Sequence, residues 1–156
     1  MGSGKSTLGK KLANKIGVTF YDTDDVLEEK FGKSIAEFFN EFGEKAFREE
    51  EKKIIQRIAD FNGVIATGGG LPCFDDNMSQ LKQNGTVIYL KRPAKELFHR
   101  LVNAKEERPK IKELNSEELM IYIEELLAER EPFYMQADII ADRENQTVER
   151  LLETLK

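Results

Sequence analysis

The sequence predicts an α/β domain, a parallel β-sheet covered by helices on both faces. Two observations predict it. Four short, continuously apolar runs, at 18–21, 63–67, 86–90 and 138–141, alternate with segments of helical periodicity, the pattern of strands buried on both sides. Polar or glycine clusters directly follow three of them: Asp22 with Asp24, then Gly68, Gly69 and Gly70, then Lys91 with Arg92. Ligands in such sheets bind beyond the carboxyl ends of the strands, so at least the first two clusters are expected to gather at one site.

The first helix opens the chain. Leu8, Leu12 and Ile16 recur every four residues and Gly17 stops the run. Ahead of it stands Gly2-Ser3-Gly4-Lys5-Ser6-Thr7, the closing part of the phosphate-loop pattern G-x-x-x-x-G-K-[ST], whose first glycine would lie two residues before Met1. A glycine loop running into an amphipathic helix is the context that the motif requires. Its N–H groups and the helix dipole cradle phosphate oxygens; Lys5 would reach the β- and γ-phosphates and the Ser6 hydroxyl would sit on Mg²⁺.

After the strand at 18–21 a helix is predicted at 25–31, broken by Gly32. Ser34 and Glu37 form a capping box. Phe38, Phe39 and Phe42 give the following helix its apolar side, and Gly43 ends it. From 44 to 59, Phe47, Ile54, Ile55 and Ile58 share one helical face. Further helices are predicted at 75–83, from Pro93 to about 103, from a Ser116 cap to about 130, and at 147–155. The stretch 105–115 is almost entirely polar.

Beyond the loop, five groups are candidates to carry chemistry. Asp22 and Asp24, two apart at a strand end, would point to one side in extended backbone. There one carboxylate can position Mg²⁺ and the other can take a proton from an attacking hydroxyl; the simpler role is that one of them caps the next helix. Gly68, Gly69 and Gly70 allow close approach of backbone to a ligand, or form an ordinary turn. Arg48 and Glu51 lie one helical turn apart: Arg48 suits bidentate capture of a carboxylate, or pairs with Glu44 and Glu51 on its own helix. Arg108, between Lys105 and Lys110, suits a basic loop that closes over ATP. Arg130 ends the long helix, facing the site or favouring the helix C-terminus. His99 reads as a surface residue and Cys73 as a small packing residue.

The 156 residues suit one domain that buries roughly two-thirds of its unfolded surface. The net charge of −5 offers no electrostatic case for nucleic acid or an acidic membrane, and no apolar run approaches the ~20 residues of a membrane span. One cysteine excludes an internal disulfide. With no visible signal peptide, a cytoplasmic protein is expected.

The set Gly2-Ser3-Gly4-Lys5-Ser6-Thr7, Asp22-Thr23-Asp24, Phe47-Arg48-x-x-Glu51, Thr67-Gly68-Gly69-Gly70, Arg108-Pro109 and Arg130-x-Pro132-x-Tyr134 resembles the shikimate kinase family in order and near its spacing, over nearly the whole chain. The phosphate loop is common to many kinases; the combination is far more specific. The resemblance implies transfer of the ATP γ-phosphoryl group to the 3-hydroxyl of shikimate, a step of aromatic biosynthesis. It implies that Gly2, Ser3, Gly4, Lys5, Ser6 and Thr7 hold ATP and that Ser6 and Asp22 hold Mg²⁺, Asp22 through water. It implies that Asp24 binds the substrate hydroxyls as candidate base. Arg48 and Arg130, beside Gly68, Gly69 and Gly70, would hold the substrate carboxylate, with Glu51 orienting Arg48. Arg108 would contact ATP from a lid at about 105–115, substrate-binding helices would span about 24–59, and the protein would be a monomer. The alternatives are another small-molecule kinase of this fold, for gluconate or a nucleoside monophosphate, and a non-catalytic nucleotide-binding protein.

The fold implied is a three-layer α/β/α P-loop NTPase fold with strand order 2-3-1-4-5. Its central first strand is absent from this sequence. Losing it would leave two sheet edges unpaired, at roughly 1–3 kcal/mol per buried group. A gap at the sheet centre, a foreign strand filling it or a rearranged sheet is therefore expected. The protein's start is expected roughly ten residues upstream, room for an ordinary strand, which would make Met1 an internal residue of the loop.

Overall fold

The computed structural model describes residues 2–103 and 114–155. The chain runs α1 (Lys5–Ile16), β1 (Thr19–Asp22), α2 (Thr23–Phe31), α3 (Ile35–Gln56), β2 (Gly63–Ala66), α4 (Asn77–Asn84), β3 (Ile88–Leu90), α5 (Ala94–Val102), α6 (Ser116–Tyr134), β4 (Ile139–Ala141) and α7 (Val148–Thr154). The predicted alternation of strands and helices holds. The boundaries move for local reasons. Helix α2 begins at Thr23 rather than 25, because the Asp22 side chain accepts from the Asp24 N–H and starts it two residues earlier. Helix α6 is capped by Asn115, not Ser116, in a capping box with Glu118, and runs one turn beyond Arg130. The Ser34–Glu37 capping box forms as expected. Within α3 the two helices expected on either side of Gly43 form as read: they meet at a kink where Gly43 itself is non-helical, at φ 80° and ψ 174°.

The strands form two parallel pairs. β1 pairs with β2, with Thr19 opposite Gly63 and Asp22 opposite Ala66. β3 pairs with β4, with Ile88 opposite Ile139 and Leu90 opposite Ala141. No strand among the described residues bonds one pair to the other. A cleft of about 1240 Å³ is lined by residues of β2 and β3, so these two strands flank it. The strand order thus shows a gap at the sheet centre, one of the outcomes expected from the sequence. Leu8, Leu12 and Ile16 of α1 line the same cleft, and Ile16 is 45% exposed. The apolar stripe of the first helix faces this gap.

Three apolar clusters build the interior. The largest joins Leu27, Phe38, Phe47, Ile54, Ile55, Ile58, Leu71 and Leu81 under the β1–β2 pair, with Phe31 stacked on Phe38 at 3.9 Å between centroids. A second joins Leu97, Leu101, Leu119 and Ile123 of α5 and α6. The third, built on Leu12, Ala141 and Leu151 with Val64, Ile88 and Leu90 around it, draws residues from both strand pairs. None of the described helices is long and apolar enough to cross a membrane.

Gly63 shows how tightly β1 and β2 are set. A Cβ there would lie 2.1 Å from the Thr19 carbonyl oxygen, a backbone atom that can move only with the strand. Gly63→Ala is expected to destabilise the fold by about 1–3 kcal/mol, the usual range for overpacking, read as a lower urea midpoint; an unchanged midpoint would show that the strand pair yields freely.

Candidate active site

The phosphate loop turns through two left-handed glycines, Gly2 at φ 67° and Gly4 at φ 91°. That conformation delivers the chain into α1 with the first-turn N–H groups directed outward. The first four N–H groups of any helix lack an intrahelical partner, and here the dipole adds positive potential to them. The loop carbonyls are engaged elsewhere. The Gly4 carbonyl accepts from the Leu8 N–H at 2.9 Å, Ser3 from Arg92 Nε at 3.0 Å and Gly2 from Arg100 Nη1 at 3.2 Å. The result is a cradle of donors with its acceptors turned away.

Asp22 ends β1 directly beside this loop and is 8% exposed. Its Oδ2 accepts from the Ser6 hydroxyl at 2.8 Å and lies 3.9 Å from Lys5 Nζ, while Oδ1 accepts from the Asp24 N–H at 3.1 Å. Asp22 is therefore both the helix cap and the neighbour of the loop, so the two sequence roles are not exclusive. Asp24 stands in the first turn of α2, not in extended backbone as the sequence reading assumed. It still faces the site, because the helix starts so early. Burial raises the Asp24 carboxyl above the ordinary carboxylate range, the Asp22 charge adds to this, and Lys5 opposes it.

The glycine turn after β2 meets Asp24 and Arg48. A Cβ on Gly68 would fall 2.6 Å from Asp24 Oδ1, and a Cβ on Gly70 would fall 2.9 Å from Arg48 Nη1. None of the three glycines has a positive φ. At Gly68 and Gly70 the requirement is space for functional side chains. Thr23, unmarked in the sequence reading beyond its place in the D-T-D run, ties this turn down: its hydroxyl accepts from the Gly68 N–H at 2.9 Å and it is 2% exposed.

Arg48 is 17% exposed on its side chain and pairs with both Glu44, at 2.9 Å, and Glu51. The intrahelical pairing is real, yet it does not exhaust the guanidinium. Arg48 Nε is buried with no hydrogen-bond partner, and the group stacks on Phe74 with Cζ 4.0 Å from the ring centroid. Glu51 is 2% exposed; burial raises its carboxyl, and the Arg48 hydrogen bond works against that rise. Arg130 exerts its charge on Glu51, Cys73 and Tyr134, so it sits in the neighbourhood of Arg48. Tyr134, named in the sequence motif without a role, donates its hydroxyl to the Gly69 carbonyl at 2.6 Å. Burial raises the Cys73 thiol above its ordinary value. His99 lies exposed on α5, as expected.

One cleft is lined by the loop from Gly2 to Thr7, by Asp22, Asp24, Gly68 and Gly69, and by Arg130 and Tyr134. At about 1240 Å³ it exceeds the roughly 300–1,000 Å³ of ordinary ligand sites, because it continues into the gap between the strand pairs. Arg108 lies outside the described residues. Arg92 and Arg100 are the site neighbours that sequence reading missed; Arg92 was visible only as a polar residue after a strand. Among the described residues no group of three or more His, Cys, Asp or Glu side chains could hold a metal ion. The Ser6–Asp22 oxygen pair nevertheless fits Mg²⁺, which takes one or two protein oxygens and completes its shell with water and substrate phosphates.

The family model described as shikimate kinase matches residues 1–156. A shikimate kinase of Parabacteroides distasonis is 44% identical over 150 residues, 96% of this chain and 87% of that protein. One from Bacteroides thetaiotaomicron is 42% identical, across 100% of this chain and 94% of that protein. Among solved structures, a shikimate kinase from Bacteroides thetaiotaomicron superposes with a TM-score of 0.91 at 40% identity, covering 99% of this chain and 93% of the other. Shikimate kinase from Acinetobacter baumannii in complex with shikimate gives 0.82 at 32% identity, covering 99% and 85%. With the fold, the loop and the whole length in agreement, the chain belongs to the shikimate kinase family.

Proposed function

We propose that this protein transfers the γ-phosphoryl group of ATP to the 3-hydroxyl of shikimate, releasing shikimate 3-phosphate and ADP. The observation that carries this reading is the placing of Asp24 and Arg48 against Gly68 and Gly70 along one turn; Asp24, Gly68 and Gly69 line the cleft of the glycine loop, and Arg48 and Gly70 stand outside its lining. A carboxylate for hydroxyls and a guanidinium for a carboxylate, held this way, suit a small hydroxylated acid.

The roles are those that the family resemblance implies, and the geometry of the described residues supports them. The N–H groups from Gly2 to Thr7 take the ATP phosphates, and Lys5 neutralises charge on the β- and γ-phosphates. Ser6, and Asp22 through water, hold Mg²⁺, which when bound offsets the charge that develops on the transferring group. Asp24 accepts a hydrogen bond from the substrate hydroxyl and is the candidate proton acceptor. Arg48 and Arg130 hold the substrate carboxylate, with Glu51 fixing Arg48. Arg108 and the lid at about 105–115 that the family resemblance implies fall mostly outside the described residues; the ATP-contacting role of Arg108 is carried over from that resemblance. The single domain spans residues 1–156, with substrate-binding helices at about 24–59, and works as a cytoplasmic monomer.

A coupled assay of ADP release with ATP, Mg²⁺ and shikimate tests the reading: release should depend on shikimate and be absent with gluconate, and the reverse selectivity would overturn it. Lys5→Ala should lower kcat by about 100-fold or more, the usual loss for one preorganised charge-stabilising donor; an unchanged rate would remove the loop from catalysis. Arg48→Ala should raise the shikimate KM about 100-fold, roughly 3 kcal/mol for two charge-assisted hydrogen bonds, with ATP binding spared. An unchanged KM would place the carboxylate elsewhere.

Asp24 gives a prediction with two opposite signs. Its carboxyl titrates higher in the folded protein than in the unfolded chain, so the native state binds that proton more tightly. Its contribution to stability is complete below the ordinary value of 3.8 and is lost as pH rises through the raised native value. Asp24→Asn should therefore raise the melting temperature at pH 7 while lowering kcat by roughly 10²- to 10⁴-fold, the range for a general base. A lower melting temperature would mean that the charged carboxylate stabilises the fold.

A further inference from the structure

Arg92 stands where β3 ends, and its backbone is fixed there. The Lys91 N–H before it donates to the Ala141 carbonyl at 3.0 Å, and Pro93 after it caps α5 at φ −61° and ψ 148°. Its side chain is 11% exposed. From this anchor Nε donates to the Ser3 carbonyl at 3.0 Å and Nη1 to Glu96 Oε2 at 2.7 Å. The second oxygen of Glu96 meets Arg143 Nε at 3.1 Å, but Arg143 is 78% exposed and such a pair is worth little. The contact that matters is the fork: one guanidinium edge on a loop carbonyl, another held by a carboxylate one helical turn away.

We propose that Arg92 is a positioning residue for ATP, holding the Ser3 carbonyl out of the phosphate cradle, with Glu96 fixing the guanidinium. The proposal rests on the ATP reading of the loop. Ser3 lies between two left-handed glycines, Gly2 and Gly4, so its peptide groups have little intrinsic reason to keep one orientation. A carbonyl swung inward would set its negative end against the phosphates and withdraw the adjoining N–H. Arg100 does the same for the Gly2 carbonyl, but at 3.2 Å and from an exposed position. Arg92 is the half-buried and doubly held member of the pair. A lysine could supply the charge but not a planar fork that meets a carbonyl and a carboxylate together.

Steady-state kinetics on the whole chain, with each substrate varied in turn, test this. Arg92→Ala should raise the KM for ATP about tenfold and leave the KM for shikimate within about twofold, the pattern of lost nucleotide binding. Arg92→Lys should not restore it. Glu96→Ala should move the ATP KM in the same direction by about threefold, and Glu96→Gln, which keeps an oxygen on Nη1, should recover most of that. An Arg92→Ala enzyme with an unchanged ATP KM, with both KM values raised alike, or with full rescue by lysine would overturn the role. If Arg92→Ala does not fold, as judged by circular dichroism, Glu96→Ala decides by the same split. A wild-type chain that does not bind ATP would instead bring down the reading of the loop itself, and the role of Arg92 with it.

Discussion

The Asp22 carboxylate is where the loop, the first strand pair and the second helix meet. One oxygen takes the Ser6 hydroxyl and faces Lys5; the other takes the N–H that starts α2. A carboxylate 8% exposed needs such partners, because a buried charge without them costs several kcal/mol. Each donor is also a functional group or the base of one. Ser6 and Lys5 belong to the loop, and the helix that Asp22 caps carries Asp24 in its first turn. Fixing Asp22 therefore fixes the distance between the glycine loop and Asp24.

The acceptor side is organised by exclusion of side chains. Gly68 and Gly70 have no Cβ where Asp24 and Arg48 come closest; Thr23 holds the Gly68 N–H, and Tyr134 holds the carbonyl of Gly69 between them. Arg48 is oriented from its own helix by Glu51, whose carboxylate is 2% exposed. Breaking that pair would strand one charge in the interior, which is far costlier than never having buried it. The arginine is thus held rigidly by the charge that competes for it. Its Nε remains as the buried donor with no partner in the protein.

Much of this was legible in the sequence because chemistry and local structure coincide there. The Leu8, Leu12, Ile16 period, the Ser34–Glu37 capping box and the glycine loop are short-range signals, and each forms as read. The family resemblance, carried by six separated motifs, added the acceptor and its arginines. Less legible was everything that depends on which end of a side chain meets which backbone atom across the fold. The role of Thr23 is a hydrogen bond over 45 residues, that of Arg92 one over 89. Neither has a periodic or spacing signal. The early start of α2 was misread for a related reason: Asp22 was weighed as cap or as site residue, when its two oxygens allow both.

The gap between the strand pairs gives these distant contacts their weight. Parallel strands ordinarily transmit position through continuous hydrogen bonding, and here the ladder stops at β2 on one side and β3 on the other. The halves are joined among the described residues by apolar packing through Leu12, Ala141 and Leu151 and by polar links: Arg92 and Arg100 to the loop, Tyr134 to the Gly69 carbonyl, and Lys82 to Asp138 and the Gln136 carbonyl. Apolar packing is non-directional; it can hold two halves together without setting the orientation of a peptide group. A hydrogen bond can set it. Arg92 starts from β3 and ends on Ser3, immediately before the helix that packs against β1 and β2. It therefore carries orientation, and not only proximity, across the gap to the glycine loop.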